Sequence, residues 1–195
     1  MNKRDFLAAG ALAGTMPPAL SARATDKVAS GPALLTVSGN VGRSNRGPLD
    51  PVLDQMMAKH GIVFDKAFAF DIAALRHLPS VTIRPTLEYD ARVHVLTGPL
   101  LDTVLAAAGV PTGRPVQLGL RAIDGYTVSV SQQDARSYRM VVATHIDGQP
   151  MALGGLGPQW AVLDADRVAP FRDKPLKERF ALCPWGLYHV AVGSG

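Results

Sequence analysis

"VQLGLRAIDGYTVSVS", residues 116–131, decides the fold class. Two strand-like runs, 116–123 and 126–131, flank Asp124-Gly125, a pair favoured in tight turns between antiparallel strands. The arrangement returns downstream, where "VVATHI" (141–146) and "PMAL" (150–153) flank Asp147-Gly148. Further strands are expected at "ALLTVSG" (33–39), "IVFDKAFAF" (62–70), "VTIRPT" (81–86), "ARVHVL" (91–96), "WAVLD" (160–164) and "LYHVAV" (187–192).

Helices are few and short. The clearest is "TGPLLDTVLAAAG" (97–109), with Pro99 in its first turn and Gly109 at its end. Leu100, Leu101, Val104, Leu105 and Ala108 share one face of it, with Asp102 and Thr103 opposite. Asp50 and Pro51 offer a cap and a first-turn proline for a helix through "VLDQMMAKH" (52–60), stopped by Gly61. "DIAALRHLP" (71–79) predicts another, opening on Asp71 and ending before Pro79. "NVGRSNRGP" (40–48) is a loop, and the rest is expected to be mostly strand. Strands with a few short helices and no regular βαβ rhythm point to an α+β fold.

The first 24 residues look like an address. Lys3 and Arg4 precede the apolar run "FLAAGALAGTM" (6–16), too short to span a bilayer, and "SARA" (21–24) ends in a small-x-small pattern. Residues 1–24 are therefore expected to be a signal peptide cut after Ala24, with 25–195 a single domain in the periplasm. "NKRDFL" (2–7) resembles a twin-arginine export signal with Lys3 in the first arginine's place, so export folded and export unfolded both remain open.

The whole chain has 195 residues and a formal charge of +4; without the leader this becomes about +2. Such a balance gives no reason to expect nucleic acid as a partner. The chain has one cysteine, Cys183, so no internal disulfide can form and packing must hold the domain. The five histidines are dispersed, with no His-Glu-x-x-His or His-x-His pair. No Gly-x-Ser-x-Gly elbow is present, and "GGLGPQW" (154–160) lacks the Lys-Ser/Thr of a phosphate-cradling loop.

Taken in order, "FDIAALRHLPSVTI" (70–83), "TGPLLDTVLAAAGV" (97–110), "AIDGYTVSVSQQDA" (122–135), "MVVATHIDGQPMALGGLGPQWAVLD" (140–164) and "WGLYHVAV" (185–192) resemble the molybdopterin-binding domain of the sulfite oxidase superfamily. The similarity is greatest to its small exported single-domain members, which include the PruR-type periplasmic pterin-binding regulators. The resemblance implies a sulfite-oxidase-type mixed sheet with short helices and a cofactor groove. It leaves two functions to weigh, enzyme and sensor.

In the enzymes of that superfamily a cysteine thiolate ligates molybdenum, between the strand after the "LP" turn and the Gly-Pro-Leu helix. Here that interval, "VTIRPTLEYDARVHVL" (81–96), contains no cysteine. Thiolate is the soft ligand such a centre wants, and Cys183, beside Pro184 and the last strand, reads as a small buried hydrophobe. The expected function is therefore non-catalytic pterin binding, with occupancy relayed to the periplasmic domain of a membrane-bound cyclic di-GMP cyclase or phosphodiesterase. The alternative is a molybdopterin-dependent oxidoreductase.

A bare pterin wants an aromatic face, a carboxylate that accepts two parallel N–H donors, and a donor for its carbonyl. Trp185 is the first candidate for stacking and Trp160 the second. The resemblance brings Asp124 and Tyr126 to the groove, and puts Arg84 and Thr86 where the enzymes approach the metal end. Leu153, Gly154 and Gly155 stand where relatives often carry a cation, which favours an uncharged pterin over a phosphate-bearing cofactor.

Overall fold

The computed structural model describes residues 31–113 and 115–194. The expected signal peptide and its cleavage point lie outside these residues. The chain is a single mixed α+β unit dominated by sheet, as the hairpins predict. Among the described residues no helix is long and apolar enough to cross a membrane.

The larger sheet has five strands: β1 (Leu35–Gly39), β2 (Ala67–Phe70), β5 (Val116–Ala122), β6 (Thr127–Ser131) and β11 (Leu187–Ser194), in the order β2-β1-β11-β5-β6. Only β1 and β11 run parallel, with Val37 opposite Val190. The alternation in β5 puts Val116, Leu118, Leu120 and Ala122 inside, and β6 answers with Val128 and Val130. Period-two burial of this kind is what a half-buried antiparallel strand requires.

The second layer contains β3 (Ser80–Ile83), β4 (Leu96–Pro99), β8 (His145–Ile146) and β9 (Gln149–Pro150), ordered β3-β4-β8-β9. A separate pair, β7 (Val141–Ala143) with β10 (Trp160–Val162), lies against β4. Contact there is close: a Cβ on Gly98 would stand 2.0 Å from the Val142 carbonyl oxygen. Leu35, Leu96, Leu101, Leu120, Trp160 and Leu187, all fully buried, belong to one core that joins the layers.

The strands are joined by short helices, α1 (Gln55–Lys59), α2 (Ile72–His77), α3 (Leu101–Ala107), α4 (Gln132–Ser137) and α5 (Ala169–Arg172). Asp71 caps α2 as expected, its Oδ1 accepting from the Ala74 N–H at 2.7 Å. In α3 the predicted face is the buried one, with Leu101, Val104, Leu105 and Ala108 fully enclosed. Gly109 follows at φ 73, where a side chain would collide with the Arg43 backbone.

Several expectations shift. Pro99 ends β4 instead of opening α3, whose N-cap is Leu100. Asp50 caps a turn through the Val52 and Leu53 N–H groups, and α1 starts only at Gln55. "VVATHI" divides between β7 and β8, which belong to different sheets. Asp147 (φ 49) and Gly148 (φ 78) both take left-handed backbone, the two-residue turn predicted for them. The Asp124 turn is different: Ala122 N–H bonds the Tyr126 carbonyl across a three-residue loop, with Gly125 alone left-handed.

Candidate functional site

That extra loop residue has a structural use. It turns the Ile123 N–H toward the Gly186 carbonyl at 3.0 Å, fastening the β5–β6 turn to the segment before β11. Asp124 Oδ1 accepts from the Tyr126 N–H at 2.9 Å, and the Tyr126 hydroxyl donates to the Ala181 carbonyl at 2.8 Å. The segment 180–186 is held from behind as well. Trp160 Nε1–H donates to the Cys183 carbonyl at 2.8 Å, and the Ala161 N–H to that of Pro184 at 3.2 Å.

Between these elements lies a groove of about 280 Å³ whose walls include Asp124, Tyr126, Phe180, Cys183 and Trp185. Its remaining wall is the loop after β3, which supplies Glu88 and Tyr89. Trp185 is half-buried, one part packed on the core and the rest available to the groove. The structure thus brings together three of the six residues the sequence singles out. Glu88 and Tyr89 were not singled out, and "LEYD" (87–90) carries no local pattern to flag them. Their position follows from how the loop is folded and pinned.

The pinning uses Thr86. Its N–H and hydroxyl both donate to Asp166 Oδ2, at 2.7 and 2.8 Å, while Asp166 Oδ1 takes Arg179 Nη1 at 2.8 Å. With its hydroxyl committed in this way, Thr86 orients the loop and does not line the groove. Arg84 does not line it either: its backbone N–H points to Asp164 Oδ2 at 3.4 Å, and its side chain is exposed. At the loop's other end His94 sits between Asp147 (2.7 Å) and Asp90 (3.0 Å). Those hydrogen bonds, Asp147's foremost, hold the imidazole pKa above its ordinary value.

Trp160 is a correction. It is fully buried in β10 among core side chains, its ring tilted against Phe180, and it has no face to offer a ligand. Its indole N–H instead fixes the backbone on which Trp185 stands.

Cys183 is nearer the groove than its place in sequence suggests. It lines the groove together with Glu88 and Tyr89. Burial, followed by the charge of Glu88, pushes its thiol up to about 12. Partial burial against the groove, followed by the same carboxylate, also pushes Tyr89 up to about 12 although its outer side is exposed. Among the described residues the groove is thus lined by a thiol held protonated, the side chains of Tyr89 and Tyr126, an indole, two carboxyl groups (Glu88 and Asp124) and one lysine, Lys177. Such a set can stack a flat ring and accept hydrogen bonds from N–H groups. It repels anions.

A second polar cluster lies behind the sheet, where His189 is buried on β11 with Nε2 2.8 Å from Ser38 Oγ. Next to it His60 Nδ1 and the Tyr188 hydroxyl are 2.6 Å apart. No protein-family model matches the chain, and no curated protein matches it.

Proposed function

We propose that the chain is a sulfite-oxidase-type domain that binds a free, uncharged pterin in the groove between the Glu88 loop and Trp185, without redox catalysis. The single observation that carries this is the meeting of Trp185 with two carboxylates, Glu88 and Asp124, around one small cavity. An indole face suits the bicyclic ring, and a carboxylate suits its pair of parallel N–H donors. At about 280 Å³ the groove falls just below the usual range of small-molecule sites, about 300 to 1,000 Å³. That size favours a bare pterin over one carrying a phosphorylated tail, and the acidic lining favours it further.

The alternative, a molybdopterin-dependent oxidoreductase, draws support from Cys183 lining the same groove. Its donor set does not suit the metal. A soft thiolate is needed there, whereas this sulfur is buried beside a carboxylate that disfavours its ionisation. No catalytic step is assigned to it.

By the same resemblance, the loaded protein acts in the periplasm on a membrane-bound cyclic di-GMP cyclase or phosphodiesterase. Ligand can alter that contact only if the partner discriminates between loaded and empty forms. The exposed lip of Tyr89 and Tyr126 is the part of the groove that an occupant would change.

The direct test is a titration of the protein with dihydroneopterin, read by tryptophan fluorescence. Saturable quenching is expected, and Trp185→Ala should abolish most of it and weaken affinity by up to about tenfold, the upper value of one aromatic stacking contact. Glu88→Gln should weaken binding without altering the fold. Unchanged affinity in Trp185→Ala removes the site assignment, and stoichiometric molybdenum in protein purified from the periplasm replaces the reading with the oxidoreductase.

A further inference from the structure

A larger cleft, lined by none of the residues of the groove just described, lies beside β3. It has a volume of about 580 Å³ and is bounded by β3 (Val81, Thr82, Ile83), the end of α4 (Tyr138, Arg139) and the segment from Asp164 to Pro170. We propose that this cleft receives the C-terminal end of an extended peptide, which adds to the free edge of β3 and places its terminal carboxylate between Arg139 and Arg167.

The edge is open because β3 is the outermost strand of its sheet. Its backbone polarity can be worked out. Arg84 N–H points away from β4, to Asp164, so by the two-residue repeat of a strand Thr82 turns its N–H and carbonyl the same way. The Thr82–Thr97 pair agrees: their hydroxyl oxygens are 3.2 Å apart, as expected where facing residues do not exchange backbone hydrogen bonds and side chains come closest. One donor and one acceptor on Thr82 therefore face the cleft. That pair matches a residue of an added strand.

Arg139 supplies the second argument. It ends α4 at φ 52, with its own N–H on the Arg136 carbonyl (3.0 Å) and the Met140 N–H on that of Ala135 (2.9 Å). This helix stop is ordinarily filled by glycine because other residues are strained there. An arginine is held in the strained position, and its guanidinium has no partner among the described residues. Arg167 is mostly exposed and approaches Asp164 only to 3.6 Å. Two arginines against one aspartate leave the cleft a single positive charge, which one carboxylate balances. Val81, Ile83, Val168 and the Tyr138 ring provide apolar walls for the side chains that precede it.

The proposal is tested on a peptide array of N-terminally attached pentapeptides with the last three positions randomised, each made with a free and an amidated C-terminus. Binders that require the free carboxylate are expected. With the best of them, labelled with fluorescein and followed by polarisation, Arg139→Gly should weaken binding tenfold or more while melting no lower than the parent, since glycine relieves the strained backbone. Arg167→Ala should weaken it by several-fold. An array without carboxylate-dependent binders overturns the proposal, as does equal affinity in Arg139→Gly. An N-acetyl amino acid competing as well as the whole peptide also overturns it, because the site would then be one for small acids and not for a strand.

Discussion

His189 makes the fold acid-sensitive by a calculable amount. Its ring is buried on β11, hydrogen-bonded to Ser38 and stacked at 6.4 Å on Phe64. Burial first, then the charges of Arg121 and Arg46, lower its pKa from 6.5 to about 4. The unfolded chain takes up this proton near pH 6.5, whereas the folded protein refuses it until about pH 4. Stability from this group is therefore complete above pH 6.5 and declines as pH falls toward 4. At 1.36 kcal/mol per pH unit the whole decline amounts to about 3 kcal/mol, a large part of a typical domain's 5–15. Urea unfolding of the parent and of His189→Gln between pH 7.5 and 4.5 isolates the effect. Glutamine still offers Ser38 a partner and cannot titrate. His94, whose raised pKa gives the opposite sign, is common to both proteins and cancels in the difference. The parent should lose about 2–3 kcal/mol more than the variant across this range. Parallel stability curves would show that the imidazole is not held neutral, and the burial argument would fail.

Two further outcomes follow from close packing and from the thiol. Gly98→Ala places a Cβ 2.0 Å from the Val142 oxygen and must part β4 from β7, at a cost of about 3 kcal/mol or more, read as a lowered urea midpoint. Cys183, buried and pushed up to about 12, should resist iodoacetamide in the native protein at pH 7.5 and be alkylated promptly once unfolded in urea. Native labelling as fast as unfolded labelling, read by intact mass, would contradict the enclosure.

What the sequence discloses is local. The α3 face, the Asp71 cap, the Asp147-Gly148 turn and the α+β class each follow from residues a few positions apart, and each is present in the fold; the Asp124-Gly125 reversal is present too, but as a three-residue loop. Strand limits are less readable. In "IVFDKAFAF" only Ala67–Phe70 pairs, because β1 offers it four partners and no more. The helix α4 goes unpredicted because its start looks like more strand, yet the Ser131 hydroxyl takes the Asp134 N–H at 2.9 Å and opens it. At the groove, Trp185, Asp124 and Tyr126 are legible through resemblance. Glu88, Tyr89 and the nearness of Cys183 are not, since they depend on Thr86 clasping Asp166, eighty residues away. Trp160 illustrates the reverse error: a tryptophan beside a glycine-rich turn suggests a ligand platform, but its indole N–H is already used inside the core.

The placement of β11 between β1 and β5 governs when this protein can come into being. Until that strand emerges from the ribosome, the principal sheet exists only as two unjoined hairpin-sized fragments, β2 with β1 and β5 with β6, and neither is large enough to persist alone. Every residue through β11 must therefore be made before this sheet can close. A chain that lacked that strand would leave both fragments with a row of unpaired backbone groups, open to pairing with other chains.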